Sequence, residues 1–184
     1  MIAYGAAELA SSFRTVRNNT IQVAEDIPET QYGFVAATGA KSVADQLKHI
    51  AYAPMTQEEM HRTKRVTTLK GYDFGGLHTR AAAREKEPRS KAQIIELLKT
   101  EGERIAKWLE SADDSFLNES LTDATGQNPK TRFEMLLGIK EHEMHHRGQL
   151  MLIQRMVGVV PHLTRQREER IRQRAAAAAA AGAR

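Results

Sequence analysis

The sequence contains no cysteine. Disulfide bonds, iron–sulfur clusters, thiolate zinc sites and a cysteine nucleophile are therefore all excluded. Any metal ion that this chain binds must be held by nitrogen and oxygen atoms.

Long apolar runs are also missing. No window approaches the length of a membrane span, and the first 20 residues lack the basic and unbroken apolar segments of a secretory signal. We therefore expect a soluble, cytoplasmic protein with no membrane partner.

The positive charge is confined to one end of the chain. The formal net charge is +4, from 27 basic and 23 acidic residues. Six of the basic residues and two of the acidic ones lie between His162 and Arg184, so the rest of the chain is neutral. A basic tail on a neutral body does not favour nucleic acid as a partner, and aromatic residues do not alternate with the arginines of that tail.

Helical spacing of apolar residues dominates the 184 residues, which is the length of one domain. We expect four long helices, over about 4–26, 42–65, 90–112 and 131–158. Ser42 is a plausible N-cap of the second helix, and Pro54 should kink or interrupt it. Ser90 and Thr131 each begin a segment with capping-box spacing.

The segments between these helices are long. We expect a packed connector over residues 27–41, a glycine-containing loop over residues 70–89, and a polar linker over residues 113–130. The predicted fold class is therefore all-α, an up-down four-helix bundle with long crossover connections. We expect residues 1–162 to form this bundle, and residues 163–184 to form a basic, alanine-rich helix or frayed tail.

Three of the seven histidines fall within the segment EHEMHHRGQL. On a helix, His142 and His146 lie one turn apart on the stripe formed by Met135, Ile139 and Ile153. An imidazole facing a core needs partners for its ring nitrogens, and two histidines at i and i+4 can bind one divalent ion. The same spacing on a polar face is typical of solvated histidines, so spacing alone leaves both interpretations open.

A zinc protease is a further interpretation, because His142, Glu143 and His146 satisfy the letters of HExxH. That chemistry needs a third ligand and a cleft beside an edge strand, whereas the sequence predicts no strand. The residues therefore argue against a protease.

Four other histidines could supply a third metal ligand from elsewhere in the fold. They are His49, which lies at the margin of a helical apolar stripe, His61 on an expected solvated face, and His78 and His162, most simply at the surface.

Three segments together resemble the DinB/YfiT-like superfamily of metal-binding four-helix proteins. These are HEMHHRGQLMLIQRMVGVVP, KSVADQLKHIA and IPETQYGFVAATGAKS. The resemblance covers roughly residues 4–165. It implies that His49, His142 and His146 form a three-histidine metal site, with His145 as a packing or supporting residue. It also implies that Arg147 and Gln149 support the helix or its neighbours.

Three neutral nitrogen ligands with an open position suit zinc, nickel, iron or manganese. The resemblance implies a metal-dependent enzyme, in the leading case one that activates a small thiol or water for transfer to a small electrophile. It also implies a small-molecule substrate or thiol cofactor, and a homodimer. Two alternatives stay open, a non-catalytic stress-related protein with a structural metal site and, less favoured, a nucleic-acid binder that uses the arginine-rich tail.

Overall fold

The computed structural model describes residues 4–182. Residues 1–3 of the expected bundle domain and residues 183–184 of the expected tail lie outside the described part. In chain order the helices are α1 (Ala6–Asp26), α2 (Val43–Tyr52), α3 (Pro54–Glu58), α4 (Phe74–Glu85), α5 (Lys91–Glu110), α6 (Asp114–Asn118), α7 (Arg132–Met156) and α8 (His162–Gly182). A 3-10 turn covers Glu29–Gln31, and a π-helical turn, Glu59–Thr63, continues α3.

The predicted four-helix bundle is confirmed, and it is formed by α1, α2, α5 and α7. Helices α1 and α2 each pack against both α5 and α7, so α1 and α2 occupy opposite corners. Contacts between side chains give the helix directions: α1 runs antiparallel to α5 and parallel to α7, whereas α2 runs antiparallel to α7. The order is therefore up, down, down, up, because the long crossover lets α2 and α5 run in the same direction.

Apolar residues at helical spacing fill the bundle in two clusters. One cluster joins α1, α2, α5 and α7 around Ile21, Leu47, Ile50, Leu98 and Leu150. The other lies towards the start of α1 and includes Phe13, Trp108 and Leu136. Each fully buried side chain of this kind stabilises the fold by about 1.5–3 kcal/mol.

Local signals in the sequence place the helix boundaries well. The side chains of Ser42, Ser90 and Thr131 accept hydrogen bonds from the first turns of α2, α5 and α7, as the sequence predicts. Helix α2 ends at Tyr52 and α3 begins with Pro54 in its first turn. The expected interruption of the second helix at Pro54 is therefore confirmed.

The prediction of a loop over residues 70–89 is wrong for most of that segment. Helix α4 occupies Phe74–Glu85, and the Asp73 side chain caps it by accepting a hydrogen bond from the Gly76 backbone at 2.8 Å. Two glycines in the first turn hide this helix from a search for apolar periodicity, since Leu77 is its one buried residue. Helix α4 packs on α2 and α3.

A short hairpin also departs from the expectation that the chain contains no strand. Strands β1 (Ser120–Leu121) and β2 (Lys130–Thr131) pair antiparallel just before α7. The hairpin is far too short to offer the substrate-binding edge strand of a protease.

The basic segment continues as helix α8, whose arginines and alanines are exposed to solvent. Arg165 ties the start of this helix to α1 through a 2.7 Å ion pair with Asp26. The division at residues 162 and 163 stays a prediction. Within residues 4–182, every helix is too short or too polar to cross a membrane.

Candidate metal centre

Three imidazoles from two helices converge beside the bundle core. His49 projects from α2, and His142 and His146 project from successive turns of α7. The Nε2 atom of His142 lies 3.3 Å from Nε2 of His49 and 3.2 Å from Nε2 of His146. The structure thus brings together the three histidines named from the sequence, and each offers one ring nitrogen to a common point.

A carboxylate on α4 fixes the orientation of His49. Glu85 Oε1 lies 2.7 Å from Nδ1 of His49, and its Oε2 accepts a hydrogen bond from Lys41 Nζ at 2.9 Å. Burial acts to raise the pKa of Glu85, but the hydrogen bonds from His49 and Lys41 outweigh it and the pKa is lowered. An ionised Glu85 only accepts, so Nδ1 of His49 carries a proton, and in the neutral imidazole that binds metal ions Nε2 keeps its lone pair.

Two glutamines, Gln46 and Gln149, orient the ring of His146. Gln46 Nε2 donates to the backbone oxygen of His146 at 3.2 Å and to Gln149 Oε1. Gln149 Oε1 lies 3.0 Å from Nδ1 of His146, and Gln149 Nε2 lies 3.0 Å from Nε2 of His145. Gln46 Nε2 also lies 3.3 Å from Nδ1 of His146. With Gln149 Oε1 as the acceptor, Nδ1 of His146 is the donor and Nε2 of the neutral ring keeps a lone pair.

Burial favours the neutral forms of His142 and His146. It lowers the pKa of His142 to about 4, with a further contribution from neighbouring His146. Desolvation also lowers the pKa of His146. Neutral imidazole is the form that binds metal ions.

The donor set fits a divalent transition ion. Two ligand nitrogens on a tetrahedral zinc ion at about 2.05 Å are separated by about 3.3 Å, and the two Nε2 pairs lie 3.2 and 3.3 Å apart. Outer hydrogen bonds from a carboxylate or an amide oxygen to the second ring nitrogen are typical of metal-binding histidines. The three histidines could therefore hold a metal ion, and they supply no thiolate or carboxylate to identify it.

A pocket of about 450 Å³ opens beside His49 and His142. Its wall is largely apolar, with Ala53, Pro54, Ala81, Ala82, Gly138 and Ile139, and its polar groups include Gln57 and Lys41. A mostly apolar concavity with a few polar groups is typical of sites for small molecules. Helix α4 therefore contributes both a wall of this pocket and the Glu85 partner of His49.

Glu143 belongs to a separate, closed cluster. Arg17 Nε donates to its two carboxylate oxygens at 3.0 and 3.1 Å, and Arg17 Nη2 adds a bond of 3.0 Å. The remaining bonds of this guanidinium reach the backbone oxygens of Leu98 and Ile50. Gly102 makes room for Arg17, since a Cβ there would lie 2.7 Å from its Cγ. Glu143 is thus engaged within the core and is not placed to act as the general base of an HExxH protease.

Two expectations about the other histidines are wrong. His61 is fully buried rather than solvated, and His162 is 4% exposed rather than at the surface. His61 contacts Gln57 and Arg132, whereas His162 Nε2 lies 3.1 Å from Asn19 Oδ1. His78 is exposed at the pocket, as expected of a surface residue.

The supporting residues were only partly foreseen. Gln149 supports the site and His145 contacts it, and Arg147 donates to the backbone of Val16 in neighbouring α1 at 3.3 Å, in keeping with the supporting role expected of it. Glu85 and Gln46 also support the rings, and neither is predicted from the sequence. Asp73 followed by an alanine run could have indicated the helix that carries Glu85.

The sequence profile of the DinB superfamily matches residues 12–150. The chain belongs to the DinB superfamily. This match covers α2 and α5 completely and most of α1 and α7, including all three histidines of the candidate centre. The family predicted from the sequence is thereby confirmed.

Three solved structures of other proteins share the fold. A DinB-like protein of Bacillus subtilis is 22% identical with a TM-score of 0.59, over 82% of this chain and 92% of that one. YfiT of Bacillus subtilis, described as a probable metal-dependent hydrolase with an unusual four-helix bundle topology, is 15% identical with a TM-score of 0.62, over 84% and 88%. A mycothiol-dependent maleylpyruvate isomerase is 11% identical with a TM-score of 0.58, over 78% and 60%. No curated protein sequence matches this chain.

Proposed function

We propose that this DinB-superfamily protein binds a divalent metal ion through His49, His142 and His146 and uses it as an enzyme. The observation that carries the proposal is the orientation of the rings. Partners on Nδ1 of His49 and His146 leave lone pairs on the Nε2 atoms that face His142. A single Nε2–H of His142 could donate to one of these two atoms at most, so at least one lone pair stays unmatched unless a cation lies between the rings. Zinc, nickel, iron and manganese all accept such nitrogen ligands.

The supported reaction class is transfer of a small thiol or water to a small electrophile. A bound divalent ion would let a thiol or water lose its proton near neutral pH. The adjoining pocket has room for a small molecule. The described functions of two structural neighbours, a probable metal-dependent hydrolase and a mycothiol-dependent isomerase, agree with this class.

The protein side chains have defined tasks in this proposal. Glu85 and Gln149 orient the rings of His49 and His146, and the apolar wall excludes water from the bound substrate. The two carboxylates that line the pocket are both engaged, Glu85 by His49 and Lys41 and Glu143 by Arg17. Neither of them is placed to take a proton from the nucleophile.

Elemental analysis combined with a thiol-transfer assay tests this proposal. Purified protein should contain about one transition-metal ion per chain. Metal-loaded protein should accelerate the reaction of small thiols with an electrophile such as 1-chloro-2,4-dinitrobenzene, and chelation should abolish the acceleration. A related assay with an activated ester would reveal hydrolysis instead. Full activity in metal-free protein would refute metal-dependent catalysis.

A structural metal site in a non-catalytic, stress-related protein is the second candidate. It is supported by the position of the histidines, which would join α2 to α7 through a shared ion. In that case the ion contributes folding energy rather than chemistry. A large fall in melting temperature on chelation, with no turnover of any thiol or ester, would favour this candidate.

We also propose a homodimer in the cytoplasm, with a small-molecule substrate or thiol cofactor as its ligand. Exposed apolar side chains on one face of α7, namely Met144, Leu152 and Met156, support a contact between copies. Light scattering after size exclusion should give twice the monomer mass, and Leu152→Glu should reduce it. The chain would be monomeric if both proteins gave the monomer mass.

The arginine-rich helix α8 gives weaker support to nucleic-acid binding. Its arginines are solvated, but Glu168 and Glu169 interrupt them and the body of the chain is neutral. Removal of residues 163–184 should leave any interaction with DNA or RNA as weak as before. A salt-dependent affinity that disappears with this segment would reverse that conclusion.

A further inference from the structure

A chain of buried hydrogen bonds runs from the hairpin end of α7 to the pocket wall. Arg132 Nη1 lies 3.1 Å from Nδ1 of His61, and Nε2 of His61 lies 3.0 Å from Oε1 of Gln57. Arg132 and His61 are both fully buried. Arg132 is held in place by Glu119, whose Oε2 accepts from its Nε at 2.8 Å. Gln57 lines the pocket beside His49 and His142.

The direction of each hydrogen bond from Arg132 through His61 to Gln57 follows from the chemistry of Arg132. A guanidinium has donors and no acceptor, so Nδ1 of His61 must accept. Neutral imidazole has one acceptor and one donor, and Nε2 of His61 therefore carries the proton and donates to Gln57. Burial, followed by the charge of Arg132, lowers the pKa of His61 to about 4, which keeps this ring neutral near pH 7.

Gln57 can therefore offer only a hydrogen-bond donor to the pocket. Its amide oxygen is taken by His61, so the NH₂ group is the end available to a ligand. Thr56 Oγ1 already donates to the Ala53 backbone at 2.8 Å, whereas Lys41 gives one of its three N–H groups to Glu85 and is the rival donor of the lining. A fixed donor in an apolar wall discriminates strongly between ligands that can and cannot accept a hydrogen bond.

We propose that Gln57 forms a donor subsite that recognises an oxygen acceptor, a carbonyl or carboxylate, on the molecule bound in the pocket. This inference rests on the proposed function for the claim that this molecule is the substrate. The role of Gln57 is specificity, and His61 and Arg132 are positioning residues that act through it.

The direction of the hydrogen bonds can be measured in metal-free protein. Nitrogen-15 NMR should show His61 as the Nε2–H tautomer at pH 7. A titration with benzoate should move the side-chain NH₂ resonances of Gln57, whereas benzamidine, a donor of similar shape, should leave them in place. An Nδ1–H tautomer, or equal responses to the two compounds, would overturn the donor subsite.

Binding of thiols to Co²⁺-loaded protein tests recognition beside the metal. The probes are thiophenol, the meta and para isomers of mercaptobenzoate, and 3-aminothiophenol, and thiolate–cobalt absorption reports their binding. At least one mercaptobenzoate should bind about tenfold more tightly than thiophenol, the gain from one hydrogen bond to a charged acceptor. The amine should bind no better than thiophenol. A carboxylate isomer that gains nothing in either position would count against the subsite.

Gln57→Glu is the sharpest variant, because one oxygen can still accept from His61 while the other presents an acceptor to the pocket. It should bind mercaptobenzoate less tightly than thiophenol. Gln57→Met removes the donor without adding charge and should bind the two alike. A preference for mercaptobenzoate that survived in both variants would assign it to Lys41 and overturn the inference.

The two proposals fail in different ways. Absence of Co²⁺ binding would refute the three-histidine metal site, while the tautomer and the benzoate response would still decide the role of Gln57. Conversely, Co²⁺ and thiol binding without a difference between wild type and Gln57→Glu would refute the donor subsite alone.

Discussion

Two polar clusters lie side by side on α7 and differ in how their atoms are matched. Arg17 and Glu143 place donors against acceptors, and each is at most 3% exposed. Their neighbours, the three histidines, place like atoms against one another beside an open pocket. The first cluster is complete within the protein, whereas the second would be completed by the proposed cation. Mismatched polar atoms therefore mark the place where an external partner is needed.

Breaking the Arg17–Glu143 pair should have the largest effect. Arg17→Met would leave a buried carboxylate without its partner and should lower the free energy of unfolding by about 3–5 kcal/mol. The double variant Arg17→Met, Glu143→Leu should recover much of this loss, because no buried charge remains. Urea denaturation of metal-free protein measures both changes. A single variant that lost less than about 1 kcal/mol would show that the cluster is not closed.

Removal of one ring from the triad should affect metal binding rather than folding. His146→Ala should weaken binding of Zn²⁺ or Ni²⁺ about 100-fold, since one of three ligands carries on the order of a third of a binding energy of roughly 10 kcal/mol. The neighbouring His145→Ala is the matched control: it removes only a contact to the supporting residue Gln149 and should weaken binding by no more than about tenfold. Calorimetric titration would contradict the site if both variants bound alike.

Acid should destabilise the protein through buried His61. Its pKa is about 4 in the folded chain against an ordinary 6.5, so below pH 6.5 the unfolded state takes up the proton first. The stability contributed by neutral His61 is therefore intact above pH 6.5 and is lost as the pH falls towards 4. Between pH 7 and pH 5 the loss should be about 2 kcal/mol.

The His61→Gln variant isolates this contribution from that of the other titrating groups. The difference in unfolding free energy between wild type and His61→Gln should shrink by about 2 kcal/mol from pH 7 to pH 5. Urea denaturation at both pH values gives this difference. If it stayed constant, His61 would not titrate as its burial requires.

A smaller effect should come from the outer support of the triad. Glu85→Ala removes the acceptor on Nδ1 of His49 and should weaken metal binding by about 10- to 100-fold. Glu87→Ala is a suitable control, because the Glu87 side chain pairs with Arg89 instead. Equal affinities of the two variants would mean that Glu85 does not orient His49.

The sequence predicts the bundle well because its signals are local. Caps at Ser42, Ser90 and Thr131 and the break at Pro54 depend on residues a few positions apart. The spacing of His142 and His146 likewise follows from one helix. His49 was assigned from family resemblance, since its place at the margin of a stripe did not select it. That these three residues bind metal stays a prediction.

Errors arose where a residue's environment comes from a distant part of the chain. His61 lies among charged neighbours in sequence, but Arg132, 71 positions away, covers it in the fold. Glu85 was missed because α4 buries a single side chain, Leu77, and so shows no apolar stripe. Burial by partners from other elements leaves no periodic signal within the segment itself.

Helix α4 buries few side chains, and this weak packing would link ligand access to the pocket with the metal affinity of the triad. A helix with one buried side chain opens locally at a lower free energy than the bundle helices beneath it. Each such opening would admit solvent and ligands to the pocket and, in the same motion, withdraw the carboxylate from His49. Opening of α4 would then increase ligand access to the pocket and lower the affinity of the triad for a cation, and closing would do the reverse. Substitutions on the outer surface of α4 would tune both without touching a single ligand.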